Sequence, residues 1–145
     1  MPFSIESTYD GRGLFEEDCI ASGTLTSGEL VALTAGAGKP TATLCGATAK
    51  PDGIVAKGGL TTTACTFVRI LPGDVMRVKA TAADGTTALS SAEKTALKAL
   101  VGTQTMHISA TGLTLDGVSS TAGKMELINY DSGTDIVRCR FTVAS

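Results

Sequence analysis

Apolar and polar residues alternate in short runs along most of the chain, and glycine and proline interrupt those runs at close intervals. Between residues 19 and 82 the β-prone runs are 29–33, 41–45, 53–56, 65–71 and 74–80. Gly36 to Pro40, Pro51 to Gly53, Gly58-Gly59 and Pro72 to Asp74 supply turns between them, because glycine reaches positive φ freely and proline presets φ. In the last run Met76, Val78 and Ala80 fall on one side and Arg77 and Lys79 on the other, the two-residue period of a half-buried strand. This spacing predicts a mainly β fold, an antiparallel β-barrel or sandwich.

The period changes once. Ser90-Ser91-Ala92-Glu93 has the form of a capping box, and the stripe Ala92, Ala96, Leu97, Leu100, Val101 follows it. One short α-helix is therefore expected over about residues 91–101, ended by Gly102 in the left-handed region. Strand-like runs then return at 105–109, 112–115, 124–130 and 135–143. The last alternates Val137, Cys139, Phe141 and Val143 with Arg138, Arg140 and Thr142. Asp131-Ser132-Gly133-Thr134 joins the final two runs into a C-terminal hairpin, 124–143.

Residues 1–18 sustain no period, with Phe3, Ile5, Leu14 and Phe15 scattered among polar, acidic and glycine residues. They predict an extended N-terminal arm, which leaves 19–145 as a single β-rich domain. A frayed terminus is the plain reading of such a segment. An arm whose isolated apolar residues dock on a neighbouring subunit accounts also for Phe3 and Phe15. Phe3, Ile5, Leu14 and Phe15 are accordingly the candidate subunit docking residues.

Composition sharpens the picture. The 145 residues suit one domain, but Gly, Ala and Thr make up about two-fifths of them. Small side chains contribute little burial energy each, so help from partner subunits is expected. Twelve basic against fourteen acidic residues leave a net charge of −2, with no dense basic cluster. Nucleic acid is therefore not expected as a partner. No long apolar run suggests a membrane span, and Met1 to Glu6 lacks the basic-then-apolar pattern of a secretion signal. Cys19, Cys45, Cys65 and Cys139 match no close metal or redox spacing and read as buried, reduced thiols.

Catalytic chemistry finds little to use. The single histidine, His107, lies between Met106 and Ile108, where packing is its expected role, and no Gly-x-Ser-x-Gly elbow accompanies it. Gly36-Ala37-Gly38-Lys39-Pro40 lacks the first glycine and the hydroxyl of a phosphate-binding loop, and reads as a hairpin turn. Tryptophan is absent, which leaves Tyr9, Tyr130 and Phe15 as a thin platform for stacking sugars. No catalytic residue, cofactor or metal ligand is assigned, and an enzyme is not expected.

The stretch from Leu25 to Ala82 has a Ser27-Gly28-Glu29-Leu30-Val31 opening strand and a small-residue middle. Pro51-Asp52-Gly53-Ile54-Val55-Ala56 follows as turn and strand, and Pro72-Gly73-Asp74-Val75 leads into a closing strand. In order and texture it resembles the capsid decoration, or cement, proteins of tailed bacteriophages, over about two-fifths of the chain. The resemblance implies a virion structural protein on the capsid exterior, made in the host cytoplasm. It would bind major capsid protein and bridge its subunits, as a homo-oligomer, often a trimer. A tail or head-fibre component, and a glycan-binding or small-ligand β-module, are the alternatives.

Overall fold

A computed structural model describes residues 1–141, which form eleven strands and one α-helix in the order β1 to β7, α1, β8 to β11. The expected end of the last strand, Thr142 and Val143, lies outside the described residues. β2 (Glu16–Ala21), β3 (Leu30–Thr34), β4 (Thr41–Leu44), β5 (Gly53–Lys57) and β6 (Ala64–Arg69) close into a barrel in the order β2-β4-β3-β5-β6. The remaining strands are β1 (Ser4–Ser7), β7 (Val75–Thr81), β8 (His107–Ile108), β9 (Leu115–Asp116), β10 (Met125–Asp131) and β11 (Ile136–Phe141). They make an open sheet, β10-β11-β7-β9-β8, with β1 beside β7.

The fold is mainly β and contains a barrel, as the pattern predicts, but two pairings are parallel rather than antiparallel: β2 with β4 and β7 with β9. A five-stranded barrel has a narrow interior. Phe67 fills much of it, with Cys19, Ala21, Val31, Ala42, Val55 and Cys65 around it. A Cβ at Gly53 would stand 2.7 Å from the Phe67 ring, so one large residue is accommodated by leaving its neighbour bare. Ala21, Ala42 and Gly53 leave the room that Phe67 occupies.

Leu30-Val31 and Ile54-Val55 are adjacent apolar pairs, and both members of each are buried. Val31 and Val55 face the barrel interior, whereas Leu30 and Ile54 pack into a second, larger apolar cluster with Met76, Val78, Leu115, Leu127, Val137 and Phe141 of the open sheet. That cluster joins barrel and sheet. The terminal hairpin forms as expected, β10 pairing with β11 from Met125↔Phe141 to Asp131↔Ile136.

Three expectations are corrected. The helix α1 is shorter, Ser91–Lys98, and of its stripe only Leu97 is buried, while Ala92, Ala96 and Val101 stay exposed. Its capping box is realised, Ser90 and Glu93 bonding reciprocally, and Gly102 takes φ +96°. The runs at 105–109 and 112–115 shrink to two-residue strands. The chain turns between them at Gly112 (φ +71°), where Ser109 N donates to the Thr114 carbonyl and the buried hydroxyls of Thr81, Thr114 and Ser109 bond one another. Residues 1–18 are not a free arm: Ser4–Ser7 pairs antiparallel with β7, and Glu16–Asp18 belongs to the barrel.

Candidate functional site

The N-terminal segment is held at four successive points. Lys79 N donates to the Met1 carbonyl at 3.0 Å. Pro2 rests on Gly28, where a Cβ would stand 2.5 Å from the proline Cβ and where φ is +92°. Phe3 is 2% exposed within the larger apolar cluster, and Ile5 packs against that cluster. Glu6 bridges two arginines that face each other across β7 and β11, at 3.4 Å to Arg77 Nε and 3.0 Å to Arg138 Nε. Like charges opposite one another across two strands repel, and the carboxylate between them removes that cost.

After β1 the chain loops over the Leu71 to Asp74 turn. Asp74 is fully buried and accepts from Leu71 N at 2.9 Å, from Tyr9 N at 3.0 Å and from both Nη atoms of Arg12. Burial pushes the Asp74 carboxyl up, but Arg12 and the two backbone N–H groups outweigh it, so the carboxyl lies below its usual value. Arg12 reaches on to the Arg69 carbonyl. The Tyr9 ring lies against Gly73, whose φ of +93° leaves the backbone bare for it.

Beyond this clamp the chain exposes large apolar side chains. Tyr9 is 79% exposed, Phe15 72% and Leu14 48%, with Leu71 also exposed. Arg12, Leu14, Phe15, Val68, Arg69 and Leu71 line a shallow hollow of about 270 Å³. The ion pair of Arg69 with Glu17, at 3.1 Å, stands at its rim. An apolar floor with paired charges around it is the makeup of a protein-contact surface.

The sequence-derived docking residues thus divide. Phe3 is core, Ile5 is half-buried on the inward side of β1, and Leu14 and Phe15 remain at the surface. Arg12 and Leu71 were not singled out by sequence, and Tyr9 and Asp74 only as a stacking aromatic and a turn residue. Only the fold of the segment over the 71–74 turn brings them together.

The remaining candidates are structural. His107 Nε2 is hydrogen-bonded to the Thr121 carbonyl, and the Asp116 opposite it accepts from Val118 N and Ser119 N to hold its own turn. Burial pushes the Cys45 thiol up to about 11 and that of Cys139 up to about 12, which keeps both as unreactive thiols. Gly36 to Pro40 is the turn of the β3–β4 hairpin. Tyr130 is half-buried and donates its hydroxyl to Asp135, and Tyr9 and Phe15 line different hollows, so these three aromatics share no sugar-stacking groove. Among the described residues no cluster of His, Cys, Asp and Glu could hold a metal ion, and no helix is long and apolar enough to cross a membrane. No family model matches the chain, and no curated protein matches it in sequence.

Proposed function

We propose that the protein is a bacteriophage head decoration protein that binds the outer surface of the capsid and bridges major capsid subunits. The observation that carries this reading is the patch of Leu14, Phe15 and Leu71, apolar side chains held out to solvent around one hollow beside the Arg12–Asp74 clamp. A soluble monomer gains nothing by immobilising such a surface. A protein that must present one rigid contact many times over a lattice does, because each copy's modest burial energy is repeated at every site. The resemblance of Leu25 to Ala82 to cement proteins points the same way.

The test is cosedimentation of the purified protein with expanded, decoration-free heads. Saturable binding is expected, with loss of about tenfold or more in affinity for Phe15→Asp combined with Leu71→Asp, while circular dichroism stays unchanged. Binding unaffected by the double substitution removes the patch from the interface. Attachment to tails or to glycans in place of heads overturns the reading as a whole.

A further inference from the structure

We propose that Cys19 and Cys65 are a modification site, closing to a reversible disulfide that staples β2 to β6 when the protein meets hydrogen peroxide. The two cysteines are direct partners in the antiparallel β2–β6 register, and both lie in the barrel interior beside Phe67. Ala21 N donates to the Thr63 carbonyl at 3.0 Å, two residues along each strand, so Cys19 and Cys65 fall at the same, hydrogen-bonded kind of position. Such pairs hold their Cα atoms about 5.5 Å apart, within the span of a disulfide. Their Cβ atoms must close from about 5.5 Å to about 4 Å, and the strain this stores leaves the bond easy to reduce again. Residue 59 is glycine, and a Cβ there would stand 3.2 Å from Cys65 Sγ, so the sulfur has the room it needs. Cys45 and Cys139 are placed otherwise, in the second apolar cluster, with Cys139 opposite Leu127 and Met76.

Burial, and after it the neighbouring Cys65, raises the Cys19 thiol above its usual value, so the pair persists as thiols while oxidant is scarce. The way in is β2 itself. It pairs with β4 only at Ile20 and Ala21, and Glu16 to Asp18 are held by β6 alone, so this end of the strand opens first. Peroxide is small and uncharged enough to reach a thiolate exposed by that opening. The sulfur takes one oxygen as a sulfenic acid and the other oxygen leaves as hydroxide. The facing thiol then attacks the oxidised sulfur and expels its hydroxyl, so that two thiols and one peroxide become one disulfide and two waters. The bond lies under the outward hollow, whose wall takes Phe15 and Glu17 from the β2 side and Val68 and Arg69 from β6. Oxidation thus fixes the seam beneath the contact surface.

The inference goes beyond capsid binding and is tested without capsids. The full wild-type chain is reduced, exposed to dilute hydrogen peroxide, alkylated in urea with N-ethylmaleimide and weighed by mass spectrometry. Of the four cysteines, two per chain are expected to remain for alkylation, and a digest is expected to hold the Cys19 and Cys65 peptides joined. The bond closes a loop of about 45 residues in the unfolded chain, so the thermal midpoint is expected to rise by about 10 °C. Reduced glutathione in excess is expected to return it. Four alkylated cysteines, or linkage through Cys45 or Cys139, overturns the proposal, and a midpoint that glutathione does not restore overturns its reversibility. Cys65→Ala keeps a small residue opposite Cys19 and is expected to show no rise with peroxide, whereas a rise of wild-type size overturns the assignment. Should that variant not fold, the wild-type digest decides. Failure here leaves the capsid reading standing, because that reading is judged by Phe15→Asp with Leu71→Asp on heads.

Discussion

Asp74 shows how much one side chain can carry. It is buried, it accepts from two backbone N–H groups, and its charge is met by Arg12. Replacing it by Asn leaves Arg12 with only the exposed Asp10 as counter-charge and at least one N–H without a good acceptor, at a cost of about 2–3 kcal/mol. Because the folded carboxyl titrates below its usual 3.8, its contribution is complete at neutral pH and is lost as pH falls through the folded value. Urea midpoints at pH 7, 5 and 3 are expected to drop for wild type between the last two, and Asp74→Asn to show a smaller drop over that interval. The cysteines make a second residue-scale prediction. All four are free and buried, so a charged disulfide reagent is expected to find no reactive thiol in the native protein and four after denaturation in urea. Fast labelling of the folded protein would contradict it. Gly123 makes a third: a Cβ there runs into the Met106 carbonyl oxygen, so Gly123→Ala is expected to break the Met106–Met125 bridge and lower the thermal midpoint by several degrees.

Among the elements, α1 separates local from tertiary contributions. Its N-terminal capping box is formed by Ser90 and Glu93, and its only buried residue is Leu97. Ser90→Ala is expected to cost about 1 kcal/mol and Leu97→Ala about 2–5 kcal/mol, measured by urea denaturation. Equal costs would mean that the helix rests on its cap rather than on its packing. The strands of strong period were legible in sequence, most clearly β7 and β11, because Val, Met and Phe mark the buried side. β1 and β2 were not. In β2 the inward residues are Cys19 and Ala21, too small to stand out against Glu16-Glu17-Asp18, and β1 has only Ile5 between polar neighbours. Their strand character comes from edges already waiting on β7 and β6.

For the molecule as a whole, barrel and open sheet share an apolar cluster to which Leu30, Cys45 and Ile54 contribute from the barrel side. Ile54→Val is expected to cost about 0.5–1.5 kcal/mol and to shift the unfolding of both parts together, so that different spectroscopic probes report one transition. Two separated transitions would show that each sheet stands alone. The sequence by itself determined the class, the turns, the helix cap and the inward side of the regular strands. These depend on period, φ preference and hydrogen bonds between near neighbours, all written within a few residues. Only the tertiary structure decided that β7 leaves the barrel to centre a second sheet, that Phe3 is core while Phe15 is surface, and that Arg12 meets Asp74. Each of those depends on which distant backbone edge or buried charge stands opposite, and no local pattern of residues encodes a partner sixty positions away.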